Sequence, residues 1–230
     1  MLLTPADHQR IAAAIEAAER KTAGEIIGVV ARECSDYWEV PLAWAAGISL
    51  IVPAVGLLLG WRPDRLARLG GGWTAAHVAA VDAAVGQAMT AYLIVQAVLF
   101  IVVLLLVSIP VVRRALTPGP LKHERVRRRA EEQFAARALH LTKGRSGVLI
   151  FASLAERRAE VVAGQAIAAK VPQEAWHGVL QALIAGMKAK DCGAGFADAI
   201  VRAGDLLAVH APRGPDDTNE LPDTVIELEH

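Results

Sequence analysis

The sequence predicts a three-layer α/β fold with a small mixed sheet, interrupted after its first strand by a transmembrane helical hairpin. Two observations carry this. Two long uncharged stretches stand near the middle of the 230 residues. On either side of them lie short, β-rich apolar runs and helices with one apolar stripe.

Residues 4–22 read as a helix. Thr4-Pro5-Ala6-Asp7 supplies a capping hydroxyl, proline at the first helical position and an acid in the first turn. Ile11, Ile15 and Ala18 form its stripe. Glu25–Ala31, after Thr22-Ala23-Gly24, is a short apolar run that reads as a buried strand. One helix and one strand cannot enclose a core, so their partners must follow the hairpin.

Val40–Trp61 and Ala83–Val112 count 22 and 30 residues without a charge. Crossing the hydrocarbon layer takes about 20. Trp38, Trp44, Trp61, Trp73 and Tyr92 lie where aromatic rings favour the headgroup level. Pro53 and Pro110 fall within or at the edge of the spans. Residues 74–89, with Val78, Val81 and Val85, read as a short helix at the outer surface. Arg113, Arg114, Lys122, Arg125, Arg127, Arg128 and Arg129 follow the second span, against Arg62, Arg65 and Arg68 between the spans. That asymmetry predicts that both termini lie in the cytoplasm. Arg113, Arg114, Lys122, Arg125 and Arg128 become candidates for anionic lipid headgroups.

After the spans, 121–141 is a basic amphipathic helix. Strands follow at 146–152 and 159–163, and the short link between them predicts an antiparallel pair. Helices follow over 172–190 and 194–210. The Pro/Asp-rich tail from Ala211 reads as a surface segment, and residues 228–230 as a cloning scar. The expected organisation is a split α/β domain of 1–39 plus 113–227, with the hairpin at 40–112.

Hydrophobic residues make up 54% of the chain, above the roughly 45–50% of soluble domains. The formal net charge is +0, which argues against a nucleic-acid partner. Cys34 and Cys192 have no metal-ligand spacing and read as free thiols. Phosphate-loop, dinucleotide, nucleophile-elbow and zinc-protease motifs are missing from the sequence. Neither span carries an ionisable residue, and Gln87 and Gln96 are the polar exceptions, so transport by the hairpin alone is not expected. The histidines, His77 and His210 among them, read as structural.

Three constellations remain. Glu156, Arg157, Arg158 and Glu160 fall in and after the tight link between strands. Glu156 and Glu160, joined by Asp36 across the top of the sheet, are the candidate ligands for calcium or magnesium, and Arg157 and Arg158 for an anion or partner. Gly56 and Gly60, with Ala43 and Gly47, give small-residue pairs at helical spacing for packing between spans or protomers. Asp216, Asp217, Glu220 and Asp223 make an acidic tail that reads as a cap over the fold.

The order of the first helix, Thr22–Val30, and the run Ser146–Ala163 with its Glu156-Arg157-Arg158 turn resembles the TPM domain. That family is named for thylakoid-lumen, photosystem II repair and receptor-modulator proteins. Asn219-Glu220-Leu221-Pro222-Asp223 is similar to a bacterial membrane branch with a two-helix insertion. The resemblance implies an α/β/α sandwich over about 4–36 and 121–225. It also implies a functional range of acid phosphatase activity, calcium binding, photosystem repair and receptor-complex modulation. Of the family's charged turn, Glu156, Arg157 and Glu160 carry over. The expected function is a non-enzymatic, membrane-anchored interaction or assembly module, in contact with the bilayer and with a protein partner or a second copy. The alternatives are a divalent-metal-dependent phosphatase-like hydrolase and a homo-oligomeric membrane assembly.

Overall fold

The structure, a computed structural model, describes residues 2–60, 77–142, 144–214 and 219–228, and the side chains of all of these except 77–85. It divides into two compact units, Met1–Asp36 with Pro118–His230, and Tyr37–Thr117.

The first unit is built on a four-stranded mixed sheet of order β3-β2-β1-β4. Helix α1 (Pro5–Glu19) opens it, and the expected capping box is present. Thr4 Oγ1 accepts from the Asp7 amide at 3.2 Å, and the Thr4 amide donates to Asp7 Oδ2 at 2.9 Å. Strand β1 (Ile26–Ala31) is buried along its whole length. Strand β2 (Val148–Ser153) lies parallel to it, pairing Ile26 with Val148 and Ala31 with Ser153. Residues more than a hundred positions apart thus share one ladder. Strand β3 (Arg158–Ala163) returns antiparallel to β2, as the short link predicts.

The fourth strand corrects the sequence reading. Val225–Leu228 does not lie loose over the surface; it forms β4, parallel to β1 at the sheet's other edge. Four residues in a Pro/Asp-rich stretch are too few to show a period, and the pairing depends on a partner about two hundred positions away.

Alternation along the strands sends side chains to two cores. Ile26, Val30, Val148, Ile150, Val161 and Val225 meet Ile11, Ile15, Leu183, Phe196 and Ile200 on one face. Ile27, Val29, Leu149 and Phe151 meet Val126, Ala130 and Leu139 on the other. The first face is covered by α1 together with helices in 177–189 and 192–210, the second by the helix that begins at Gly119.

In the second unit, α2 (Glu39–Leu58) and α3 (His77–Ser108) form a contacting pair. Residues 77–89 continue directly into α3, so the backbone makes one 32-residue helix and not a separate outer-surface helix. Pro110 begins α4 (Pro110–Leu116), after an extended Ile109 ends α3. Helix α5 (Gly119–Ala136) opens the return to the first unit. The expected helix over 121–141 stops short because Ala138 is left-handed, with φ 54°, and Leu139–Leu141 becomes a 3₁₀ turn. After β3 come α6 (Gln165–Ala168), a 3₁₀ turn at Gln173–Trp176, α7 (His177–Ala189) and α8 (Cys192–His210). Trp61, Trp73, Arg62, Arg65, Arg68, Asp216 and Asp217 lie outside the described residues, as do the side chains of His77, Val78, Val81 and Val85.

Candidate functional site

The charged turn sits between β2 and β3, and its two acids face different surroundings. Arg157 takes φ 52°, the left-handed turn that lets β3 double back on β2. Glu156 points inward. Its Oε1 accepts from the Cys34 amide at 3.2 Å, and its Oε2 accepts from the Ser153 hydroxyl. The carboxylate therefore ties the segment after β1 to the turn. Cys34 beside it is largely enclosed, and burial pushes its thiol up to about 12. A thiol so placed is a poor nucleophile at neutral pH.

Glu160 lies within β3, opposite Phe151 in the ladder. It is buried, with His123 Nδ1 of α5 at 3.0 Å from its Oε1. Burial raises its pKa, while His123, Arg127 and Arg158 pull the other way. Arg127 Nε donates to Glu131 at 3.0 Å, one turn further along α5. Arg158 Nη2 donates to the Gly119 carbonyl at 3.3 Å, which fastens the start of β3 to the first turn of α5. Asp36 is exposed at the end of the first stretch of this unit, and Arg157 is exposed at the turn. Among the described residues, no group of three or more His, Cys, Asp or Glu side chains converges as a metal cage. Glu156 and Glu160 each hold protein partners of their own.

His123 was not legible as Glu160's partner, because nothing in its spacing on a basic helix marks it. Beside Glu160 opens a groove of about 320 Å³, bounded by α5, β3 and the segment from α6 to Trp176.

A second acidic group escaped sequence reading. Glu19 at the end of α1 is 8% exposed, and its Oε1 accepts from the Ile26 amide at 2.9 Å. The Glu220 amide donates to Glu25 at 3.2 Å, and Asn219 donates to Asp223 at 2.7 Å. The Asn219–Asp223 part of the tail thus meets the start of β1, with Glu19, Glu25 and Asn219 around a cavity of about 210 Å³. Burial, then the charges of Glu25 and Asp223, push the Glu19 carboxyl up to about 8, against the hydrogen bond from Ile26.

In the helix pair, Ala43 and Gly47 lie off the buried side of α2. Val40, Pro41, Ala45, Ser49 and Pro53 are the buried positions of α2, the last four of them spaced by four. Ala43 is exposed, and a Cβ added at Gly47 would meet nothing within 4 Å. Two residues of offset turn these positions to the far side of the helix. Gly56 lines an apolar groove of about 490 Å³ between α2 and α3. Gly60 lies beyond the end of α2 with φ +84°.

Comparison with known proteins follows the same outline. The family model of the TPM domain matches residues 111–206. A solved structure, the NMR structure of BA42 protein from the psychrophilic bacterium Bizionia argentinensis sp. nov., superposes with a TM-score of 0.54 at 18% identity, covering 98% of this chain and 94% of that one. At that identity the likeness is one of fold. Among curated proteins, none matches the chain.

Proposed function

We propose that this chain is a TPM-type protein anchored in a bacterial inner membrane by two spans. In this reading both termini are cytoplasmic, and the α/β unit acts as a non-enzymatic interaction or assembly module. The observation that carries the anchor is the surface of the helix pair. Leu50, Ile51, Leu58, Leu93, Ile94, Ile101, Leu105 and Leu106 are all exposed large apolar side chains. Glu39–Leu58 and Gly86–Ser108 are both long and apolar enough to span. Exposed apolar area on this scale is costly in water and favourable in lipid. Arg113, Arg114, Lys122, Arg125 and Arg128 then serve anionic headgroups at the cytoplasmic leaflet.

The module reading draws on the TPM match and on the turn itself, where Glu156 and Glu160 are engaged in holding the fold together. Arg157 at that turn is exposed and available to a partner. The test is capture of the tagged chain from native membranes in mild detergent. A reproducible partner, or a second copy recovered by the first, supports the reading; repeated recovery of the lone monomer ends it.

A hydrolase reading is favoured by one feature, the Glu160–His123 pair beside a groove that also holds Arg127. It predicts release of phosphate from a generic ester in the presence of calcium or magnesium. Unchanged release in the double variant Glu156→Ala, Glu160→Ala excludes it.

A further inference from the structure

Strand β3 ends the sheet, and its outer edge is open. The register settles which of its backbone groups face outward. The amides of Val148 and Leu154 donate to Glu25 and Ala31 on the β1 side, so the even-numbered residues of β2 point their backbone groups away from β3. The Gly164 amide donates to the Gly147 carbonyl at 2.8 Å, which makes that pair a hydrogen-bonded one. Alternation along an antiparallel ladder then gives the bonded pairs Leu149–Val162, Phe151–Glu160 and Ser153–Arg158. Ala159, Val161 and Ala163 are left with amide and carbonyl directed out of the sheet. Among the described residues, no backbone group from outside the sheet bonds to these three.

Proteins ordinarily blunt such an edge with a bulge, a proline, a covering segment or charged side chains, and of these β3 carries charge, in Arg158 and Glu160. Here the groove of about 320 Å³ follows it, with Val161 and Ala163 among its lining residues. Its two walls differ. Arg127 and Glu131 of α5 stand on the side that the even-numbered residues of β3 face. Val171 and Trp176 stand on the other. Arg127 gives its Nε to Glu131, and Arg158 stands near Glu160 at the beginning of the strand. An extended backbone laid along the edge satisfies the outward amides and carbonyls. Its side chains alternate between the charged wall, where Arg127 is the cation, and the apolar wall.

We propose that the free edge of β3 is a strand-addition site, taking an extended peptide with one acidic side chain toward Arg127 and apolar side chains at the neighbouring positions. This rests on the interaction-module reading and names the surface and partner chemistry that the module uses. A single acid fits better than a polyacidic tract, because Glu131 and Glu160 stand on the same wall.

The probe is a blocked heptapeptide with valine, glutamate and valine at its centre and serines outside, added to the full chain in nanodiscs. Expected is slowed amide hydrogen exchange at Val161 and Ala163. N-methylation of alternate peptide amides should abolish binding in one register and spare it in the other, because every second amide faces the strand. Nonspecific apolar association makes no such distinction. Arg127→Glu should weaken binding about tenfold or more and recover it with lysine at the centre of the peptide. Val161→Pro removes an outward donor that the ladder does not use and should abolish binding with the fold kept. If Val161→Pro fails to fold, the methylation pair alone decides. Equal binding of both methylated peptides, or unchanged exchange at Val161 and Ala163, overturns the site. Partner recovery from native membranes that is the same for wild type and Arg127→Glu, with the peptide inactive, overturns the edge site and leaves the module reading standing. Peptide binding with no partner or second copy recovered keeps the edge site and removes the module reading.

Discussion

Glu19 shows what enclosing a carboxyl does to stability. Its pKa in the folded chain is about 8, raised chiefly by burial, against an ordinary value of 4.5. Between those two values the folded form keeps a proton that the unfolded form has released. Stability therefore falls as pH rises through that window and levels off above it. Glu19→Gln removes the ionisation while keeping an acceptor for the Ile26 amide. Its melting temperature should exceed that of wild type at about pH 9 and approach it at about pH 5. At the other end of α1, Thr4 holds the capping box with Asp7, whose carboxyl is lowered by that hydrogen-bonding. Thr4→Ala should cost about 1 kcal/mol in a urea titration. The Thr4-Pro5-Ala6-Asp7 cap was legible because a capping box lies within four consecutive residues. Glu19's surroundings were not, because Glu25 reaches it from just before β1 and Asp223 from a loop two hundred positions on.

Helices α7 and α8 meet backbone to backbone. A Cβ on Gly186 would stand 2.4 Å from the Gly195 Cα, a distance no relaxed side chain can restore. Gly186→Ala should force the pair apart and cost about 1–3 kcal/mol, seen as a lower denaturation midpoint with little change in slope. Trp176, Val179 and Leu183 mark this region in the sequence by their spacing, and all three are buried. The glycine contact has no such signature, since small residues show their purpose only when the opposing helix is known. Strand β3 is similar: its apolar residues and tight turn announced a hairpin. Which of its amides remain open follows from the ladder alone.

Two apolar helices of this length dominate how the whole chain behaves in water. Val98 is 55% exposed on α3 and lies at the middle of the second candidate span. Val98→Lys should therefore disfavour insertion by up to roughly 3 kcal/mol, since a lysine near the centre of a span is among the costliest substitutions. Alkaline carbonate extraction reads this directly. Wild type stays with the membrane pellet, and the variant moves toward the supernatant or is degraded. Short-range pattern alone defined the uncharged stretches, the amphipathic helices, the capped start of α1 and the β2–β3 hairpin, because each depends on residues within a turn or two of one another. Folding was needed to lay Ile26–Ala31 against Val148–Ser153, to recruit Val225–Leu228 as an edge strand and to give Glu160 its histidine. Those pairings join residues that are distant along the chain, and hydrogen bonds and packing between distant residues leave no periodic trace in the order of amino acids.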